Sequence, residues 1–552
     1  MGETIDCLII GHNEMNFSEY KNTITSMDQN SEAFRDLNYS FIEHDNRVYT
    51  ISDVFNQFYN STLQNGYGSD LSLGEAFSAT IAYLGTYLNR RGLTFDYVNS
   101  FQDEKQELIE KLTNQNIHTV AIPTTLYILA FPIVEIVELV RKYNPDAKII
   151  IGGPFVSRNV RTQEELILQY VFDSIGADYY INSSQGENAL VNLVKAIREN
   201  SPISGIANIH YRQGDTFMAT PVEKEDNCLE ENMVDWSLFA DRIGRFANIR
   251  TAISCPFSCS FCGFPKHAGK YQTASVAAVE GELNRLHTIG KVKSLHFIDD
   301  TFNVPPERIK EILRMMIRNK YDFNWHSHFR CQFADDEMVE LMKESGCEGV
   351  FLGIESGSPQ ILKNMNKAAT VENYRRGMKF LKKHNILTHA SFIIGFPGET
   401  EETVKETVCF IEECQPDFFR TLLWYCEPIT PIWEQREKYK IEGSQFNWSH
   451  ETMNSQMACD IIEEIFLTVK KSTWLPQYNF DFDSIFHLAD RGMSRDAVKE
   501  FVSIFNWGIR EKLIGYRIRE KRKKVIFDAD TGNENDTMGG KTLHQLFQEQ
   551  FL

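Results

Sequence analysis

The sequence lacks an uninterrupted apolar run of the about 20 residues that a membrane-spanning helix needs. Its most apolar window, Thr119–Val140, contains two prolines and two glutamates. The first residues, MGETIDCLIIGHNE, place no basic stretch before their short apolar run, so no signal peptide is predicted. We therefore expect no membrane partner, and we expect a cytoplasmic location.

The chain is also short of positive charge. It has 57 lysines and arginines against 76 aspartates and glutamates, which gives a net charge of −19. An acidic surface repels nucleic acid and anionic lipid, so neither is expected as a partner. With 552 residues the chain exceeds the size at which one hydrophobic core stops growing, and two or three domains are predicted.

The first 205 residues alternate short apolar strands with amphipathic helices. Such alternation is typical of an α/β fold, here a doubly wound, Rossmann-like domain with a parallel sheet. A polar insertion at residues 15–69 separates the first strand from its helix, and it is expected to cover the sheet edge or the ligand mouth. The strands are predicted at Ile5–Gly11, Phe95–Ser100, Thr119–Thr124, Lys148–Gly152 and Tyr179–Asn182.

A second series of strands and helices is predicted at residues 246–431, after an acidic linker at 206–245. Its six strand–helix units indicate a partial (β/α)6 barrel of the TIM type. Residues 432–552 have mainly helical patterns. A helical C-terminal region with a loose polar tail is therefore predicted.

Three of the eleven cysteines lie close together in SCPFSCSFCGFP, with the spacing C-x3-C-x2-C. Structural zinc usually needs four ligands, and no second pair lies nearby at a suitable spacing. A disulfide would leave one thiol over and suits an oxidising compartment. An iron–sulfur cluster bound by Cys255, Cys259 and Cys262 would keep one iron free for a ligand. The position after the first barrel strand, where such barrels have their active sites, favours the cluster.

This motif, with Phe261 before its third cysteine, resembles that of the radical S-adenosylmethionine (SAM) superfamily. The resemblance implies a [4Fe–4S] cluster whose open iron binds SAM and, after one-electron reduction, cleaves it to a 5′-deoxyadenosyl radical. It also implies SAM contacts where later strands end, in FIDDTF, LGIESGS and FIIGFPGET. The residues assigned to SAM are Phe261, Gly263, Asp299, Asp300, Arg330, Glu355 and Gly395.

Several of these assignments have a structural alternative. Asp299 and Asp300 would equally cap the following helix. Arg330 would equally neutralise Glu355, since a carboxylate that ends an apolar strand needs a partner. Gly395 would equally serve an ordinary turn between a strand and a helix.

Three loops of the N-terminal domain have the sequences VAIPTTLYI, IGGPFV and SSQGENAL. They resemble the loops that contact the corrin and the nucleotide tail in the cobalamin-binding group of radical SAM proteins. The D-x-H-x2-G motif that supplies a cobalt-ligating histidine is missing. Cobalamin without a histidine ligand is therefore expected, although GHNE places a histidine at about that site. Cobalamin contacts are assigned to His12, Asn13, Thr124, Thr125, Leu126, Gly152, Gly153, Pro154, Gly186 and Glu187.

Cobalamin together with radical SAM implies methyl transfer: one SAM gives methylcobalamin, and a second gives the radical that activates the substrate. The stretches GHNE, IGGPFV, LLWYCEPITPIWEQRE and NFDFDSIF are most similar to the P-methyltransferases of phosphinate antibiotic biosynthesis. We therefore predict methylation of phosphorus or of an unactivated carbon in a specialised metabolite, small or peptide-linked. The electron donor would be a reductant such as flavodoxin or ferredoxin.

Two other functions stay open. One is a cobalamin-binding radical SAM cyclase or rearrangement enzyme, and the other is a non-catalytic cobalamin or redox sensor. An anionic substrate would need a cation in its pocket, for which Arg330 and Arg420 are candidates. A final set of residues either shapes the substrate pocket or packs in the core: Trp424, Tyr425, Glu427 and Trp433.

Overall fold

The computed structural model describes residues 4–527 except 15, 29, 46, 61–69, 72–75, 128, 477 and 479. Two seven-stranded sheets dominate these residues, one N-terminal and one central. None of the helices in this part of the chain combines the length and the apolar character that a bilayer span requires. The predicted loose tail lies outside the described residues.

The N-terminal strands are β1 Thr4–His12, β2 Phe41–His44, β3 Arg47–Thr50, β4 Phe95–Ser100, β5 Asn116–Pro123, β6 Lys148–Gly152, β7 Tyr179–Ile181, β8 Ile209–Gln213 and β9 Thr216–Ala219. The first sheet has the order β4-β1-β5-β6-β7-β8-β9, and its strands are parallel from β4 to β7. This parallel part follows the 2-1-3-4-5 order of doubly wound domains, whose ligands bind outside the carboxyl ends of the strands. The predicted doubly wound α/β fold is confirmed.

Helices cover both faces of this sheet, which is why β1 and β5 are mostly buried. The helices are α1 Phe17–Met27, α2 Glu32–Leu37, α3 Ile51–Val54, α4 Ala79–Asn89, α5 Lys105–Asn114, α6 Phe131–Tyr143, α7 Pro154–Thr162, α8 Glu165–Ile175 and α9 Glu187–Glu199. On one face, α5, α6 and α8 enclose a separate core. On the other, α4 and α9 share a core with the central part of the chain.

Part of the predicted linker belongs to the first sheet. β8 and β9 form a hairpin that extends the sheet antiparallel to β7. The reason is that Ile209 and Phe217 have enough apolar surface to join the cores of this domain. The chain then crosses to the second sheet over residues 220–245, where the fully buried Trp236 donates its indole N–H to Glu282 at 2.8 Å.

The insertion at 15–69 includes α1, α2, the β2–β3 hairpin and α3 in its described residues. It packs on the C-terminal part of the chain rather than along the sheet edge. Lys512 donates to the carbonyls of Asn38 (2.7 Å) and Phe41 (2.6 Å), and Arg35 pairs with Asp460 at 2.6 Å. The inner side of the insertion faces a large cavity between the two sheets. Of the two predicted positions, the edge of the first sheet does not fit these contacts, and the insertion instead lies beside this cavity.

The central strands are β10 Phe246–Ile249, β11 Ala252–Ile253, β12 Gln272–Thr273, β13 Ser294–Phe297, β14 Asn324–Phe329, β15 Cys347–Glu355, β16 Leu387–Ile394 and β17 Phe418–Leu423. The helices between them are α10 Phe264–Ala268, α11 Val276–Ile289, α12 Pro306–Asn319, α13 Asp336–Glu344, α14 Pro359–Asn364, α15 Val371–Lys383 and α16 Glu401–Cys414. Beyond them follow α17 Arg436–Tyr439, β18 Glu442–Ser444, β19 Asn447–His450, β20 Met453–Asn454, α18 Ser455–Thr468, β21 Thr473–Trp474, α19 Phe482–Asp490 and α20 Arg495–Phe527.

The second sheet has the order β10-β13-β14-β15-β16-β17-β21, and neighbouring strands are parallel throughout. Within the described residues β10 and β21 do not pair, so the predicted partial barrel is confirmed. The seventh strand, β21, comes from the C-terminal region and was not predicted, because two residues give no periodic signal. Phe482 and Phe486 of α19 pack against His326 on β14 and so fill part of the concave face.

Candidate active site

The three clustered cysteines lie in a loop that one buried aspartate holds in place. Asp299, two residues after β13, accepts hydrogen bonds from the N–H groups of Thr251 (2.7 Å) and Ala252 (2.9 Å) and from the Thr251 hydroxyl (2.5 Å). Burial raises the Asp299 pKa above its ordinary range. Its bonds fix the chain just before the cysteine loop. The helix α12 begins only after Pro305, so neither aspartate of FIDDTF caps it.

The thiols of Cys255, Cys259 and Cys262 are not arranged around a single ion. Their sulfurs, all in the described part of the chain, do not lie within 4.8 Å of one another as a group. Thiolates around one zinc ion would lie about 3.8 Å apart. Burial raises the pKa of Cys255 and raises the pKa of Cys262 to about 11, so a metal centre must supply positive charge to ionise them at neutral pH. Three thiols with no fourth ligand in the motif fit an iron–sulfur cluster better than a structural zinc site, which needs four.

Arg330, which follows β14, faces the cysteine loop. Its Nη2 lies 3.3 Å from the Cys259 sulfur, and its guanidinium lies 3.6 Å from the ring centroid of Phe257. It is not the partner of Glu355, whose buried carboxylate pairs with Lys367 Nζ at 2.8 Å. The alternative in which Arg330 neutralises Glu355 is therefore wrong. Sequence reasoning missed Lys367, because nothing in NKAAT marks a buried lysine.

Three more residues assigned to SAM lie in or beside the cysteine loop. The Phe261 ring meets Phe396 edge-on at 6.5 Å. A Cβ on Gly263 would lie 3.1 Å from Ile429 Cγ2, so the loop packs closely on the segment after β17. Desolvation and then the Asp299 carboxylate raise the pKa of Asp300 to about 7.

Gly395 is required by protein packing. Its φ is +91°, and a Cβ there would lie 2.3 Å from the indole of Trp448. Its N–H donates to Glu399 at 2.5 Å, and its carbonyl contacts His450 Nε2 at 3.0 Å. The space that a Cβ of residue 395 would occupy is thus filled by an indole from the C-terminal region.

A cavity of about 300 Å³ lies along the first sheet, beneath α4 and α9, and reaches the second sheet at Asn248 and Ile298. It is largely apolar, with Tyr83, Leu190 and Met233 among its walls. A largely apolar cavity with a few polar groups on its wall is typical of a site for a small molecule or a cofactor. Six of the residues assigned to cobalamin border it: Thr125, Gly152, Gly153, Pro154, Gly186 and Glu187.

Two glycines are needed where the loops bend over this cavity. Gly153 has a φ of +113°, and a Cβ there would lie 2.9 Å from the Thr124 hydroxyl. A Cβ on Gly186 would lie 2.8 Å from Ile181 Cγ2. The buried Thr124 hydroxyl donates to the Gly152 carbonyl at 2.8 Å, so Thr124 supports the loop and does not border the cavity.

A second and larger cavity, of about 1230 Å³, lies between the first sheet, the insertion, the second sheet and α19. His12 borders it and stacks on Tyr127, with ring centroids 5.3 Å apart; burial lowers the His12 pKa, so the ring is neutral. Leu126 also borders it and is 69% exposed. Asn13 does not border this cavity, and its side chain instead donates to the Pro132 carbonyl and to Glu135.

One helix connects the glycine loop to the cysteine loop. α7 begins at Pro154, directly after Gly153, and its Arg158 bonds to the Tyr425 hydroxyl and lies 3.4 Å from Glu427. Its Arg161 lies 3.1 Å from His267 Nδ1, five residues past the last clustered cysteine. Tyr425 and Glu427 thus serve the interface between the two domains.

The other residues considered for a substrate pocket lie elsewhere. Arg420 is buried, donates to the Pro476 carbonyl and pairs with Asp36 at 3.3 Å, so it does not reach either cavity. Trp424 is 2% exposed and packs against Trp448, while Trp433 is partly buried against the core. Core packing therefore accounts for both tryptophans.

Comparison with known proteins agrees with this arrangement. Residues 249–411 match the model of the radical SAM superfamily. An uncharacterised methyltransferase of Pyrococcus horikoshii is 29% identical over 307 residues, which cover 54% of this chain and 65% of that protein. The anaerobic magnesium-protoporphyrin IX monomethyl ester cyclase of Cereibacter sphaeroides is 25% identical over 398 residues, or 67% of this chain and 62% of that one. The chain thus spans less than two thirds of the length of these relatives.

Two solved structures have a similar fold. The radical SAM methyltransferase TsrM of Kitasatospora setae, with tryptophan and a SAM analogue bound, superposes with a TM-score of 0.55, 20% identity, and coverage of 68% of this chain and 75% of TsrM. The cobalamin-dependent radical SAM enzyme OxsB, with aqua-cobalamin and SAM bound, superposes with a TM-score of 0.54 and 13% identity, and the match covers 88% of this chain and 61% of OxsB. Residues 249–411 therefore form a radical SAM domain, in a chain whose fold is similar to those of TsrM and OxsB.

Proposed function

We propose that this protein is a cobalamin-dependent radical SAM methyltransferase that moves a methyl group from SAM to a radical centre of a small-molecule substrate. The main support is α7, which joins a glycine loop of cobalamin type to a cysteine loop of radical SAM type. The names of the relatives and the fold of TsrM add to it. Together they favour a shared reaction chamber between the two sheets.

The residues around the cysteine loop fit a cluster and SAM. When bound, the cluster and SAM would supply the radical, and cobalamin would supply the methyl group. Cys255, Cys259 and Cys262 would hold the cluster, and Arg330 offers a positive charge beside the Cys259 sulfur at 3.3 Å. Glu355 and Lys367 form a buried ion pair at the end of β15, where an acceptor and a donor would orient a polar ligand.

The first sheet offers what cobalamin needs. The apolar cavity of about 300 Å³ would take the nucleotide tail, and Gly153 forms the bend of a loop on the cavity wall. Pro154, Gly186 and Glu187 border the same cavity. Leu126 and Thr125 would lie beneath the corrin, and the neutral His12 stacks on Tyr127 near the same opening.

The cavity of about 1230 Å³ would hold the substrate. Its size suits a small molecule or the end of a peptide. We propose a specialised metabolite as substrate, methylated at phosphorus or carbon. The cations suggested for an anionic substrate do not border this cavity, since Arg330 faces the cysteine loop and Arg420 is buried elsewhere.

We also propose that the protein works in the cytoplasm with a flavodoxin-like or ferredoxin-like reductant and without nucleic acid. All eleven cysteines are unpaired, as in a reducing compartment. The net charge of −19 disfavours contact with nucleic acid.

A second candidate function is a radical cyclase, which the cyclase of Cereibacter sphaeroides favours because it aligns with 67% of this chain. The two functions differ in what becomes of SAM. A methyltransferase converts SAM to both S-adenosylhomocysteine and 5′-deoxyadenosine, whereas a cyclase forms only 5′-deoxyadenosine.

The test is anaerobic reconstitution with iron, sulfide and hydroxocobalamin, followed by SAM and a chemical reductant. Both nucleosides are expected from the wild-type chain, and neither from a variant with alanine at positions 255, 259 and 262. If only 5′-deoxyadenosine forms, the cyclase replaces the methyltransferase. If neither forms in a chain with a complete cluster, both enzyme functions lose support and the sensor gains it.

A further inference from the structure

A second group of metal-ligating side chains lies away from the cysteine loop. His296 is on β13, His326 is on β14, and Asp483 is in the first turn of α19. His296 Nδ1 lies 3.0 Å from one carboxylate oxygen of Asp483, and His326 Nε2 lies 3.0 Å from the other. One nitrogen from each ring and a carboxylate oxygen all lie within 4.8 Å of one another.

The sheet itself brings the two imidazoles together. His296 and His326 are direct register partners on neighbouring parallel strands, so their side chains point to the same face. Their rings stack with centroids 4.6 Å apart. α19 then delivers the carboxylate, since the Asp481 side chain caps the helix by accepting from Ser484 N–H at 3.1 Å.

The group is sealed on one side and open on the other. His326 is 2% exposed, and the Phe486 ring stacks on it at 4.1 Å. His296 and Asp483 border the cavity of about 1230 Å³. Any further ligand of an ion held here would therefore come from that cavity.

The charge of the cavity wall also favours a cation. The carboxylates of Glu14, Asp53, Asp103, Asp481 and Asp483 border it, against the basic side chains of Lys21 and Arg47. An excess of carboxylates in a confined space attracts a divalent ion.

We propose that His296, His326 and Asp483 bind one divalent first-row transition metal, with its remaining coordination positions facing the large cavity. Two imidazoles and one carboxylate are the donor set of mononuclear sites with open positions. Ligands at right angles about one ion, each about 2.1 Å away, lie about 3.0 Å apart, and here each imidazole nitrogen lies 3.0 Å from a different oxygen of the Asp483 carboxylate. The site is independent of the cysteine loop and of the proposed function.

Zinc is the probe, because it is part of neither proposed cofactor. Iron belongs to the proposed cluster, and cobalt belongs to the proposed cobalamin. The reconstituted full chain is dialysed against Zn²⁺, and bound zinc is counted by mass spectrometry. We expect one zinc per chain, retained when positions 255, 259 and 262 are alanine. Asp483→Asn and His326→Gln should each weaken zinc binding by at least about a hundredfold.

The matched control is Asp481→Asn, which borders the same cavity and still caps α19 but removes no ligand. It should keep the zinc. A second measurement guards against misfolding: zinc should raise the thermal unfolding midpoint of the wild type and of Asp481→Asn. A carboxylate that only hydrogen-bonds two imidazoles would give no bound zinc and no shift in the folded wild type. That result, or equal zinc in Asp483→Asn and wild type, would overturn the proposal.

Discussion

At the scale of single residues, the site depends on buried charges that have specific partners. Glu355 has a φ of +67° and pairs with Lys367, although the two are 12 residues apart. Asp299 accepts three hydrogen bonds from the chain that leads into the cysteine loop. Removing one partner of such a group costs more than the bond itself, because the other charge stays buried.

Lys367→Met should lower stability by about 3 kcal/mol, because it leaves the Glu355 carboxylate buried and unpaired. Adding Glu355→Gln to the same chain should restore most of the loss. The control is Lys293→Met, which breaks an exposed pair with Asp322 and should cost less than about 1 kcal/mol. Urea unfolding midpoints measure all four chains. Equal losses for the two lysine variants would show that the Glu355–Lys367 pair has no special role.

Glu399 provides a test by pH. Burial raises its pKa to about 8, far above the value it regains on unfolding. Between these two pKa values the folded chain therefore holds a proton that the unfolded chain releases. The free energy of unfolding falls as the pH rises through this range, and the contribution of the buried carboxyl group to stability is lost by about pH 8. The free energy of unfolding of Glu399→Gln, measured by urea unfolding, should then exceed that of the wild type by at least about 1 kcal/mol near pH 9 and match it near pH 4. The exposed Glu402→Gln is the control, and a pH-independent difference for Glu399→Gln would refute the argument.

At the scale of elements, α7 sets the relation between the two loops. It is amphipathic, with Phe155 and Val156 in the core of the first sheet, while Arg158 and Arg161 reach the second domain. Because a short helix is rigid, it fixes the distance between its first residue and these arginines. Substitutions in α7 should therefore change the coupling of the two cofactors more than the binding of either.

Arg158→Gln should lower the rate of S-adenosylhomocysteine formation by about tenfold while 5′-deoxyadenosine formation changes less, because only methyl transfer needs both loops in register. Arg141→Gln is matched to it: it breaks the pair with Asp178, of similar exposure, inside the first domain. It should leave both rates unchanged. Parallel loss of both products in Arg158→Gln would mean that α7 acts only on overall stability.

At the scale of the whole molecule, the sequence predicted the two α/β units and the cysteine loop, because both signals are local. Strand–helix periodicity and the C-x3-C-x2-C spacing need only neighbouring residues. The residues that were missed come together from distant segments: Lys367 with Glu355, Arg158 with Glu427, and Trp448 over Gly395. The β8–β9 hairpin was placed in a linker for a related reason, since its own residues do not reveal the sheet that it joins.

The central claim is that one chamber between the two sheets joins radical formation to methyl transfer. The most direct measurement supplies the reconstituted chain with equal amounts of SAM and methyl-deuterated SAM, a reductant and a small-molecule extract of the source cells. The account predicts a metabolite that appears as an isotopic doublet, formed together with both nucleoside products and absent when the three cysteines are alanine. Formation of 5′-deoxyadenosine with neither S-adenosylhomocysteine nor a labelled metabolite would contradict it.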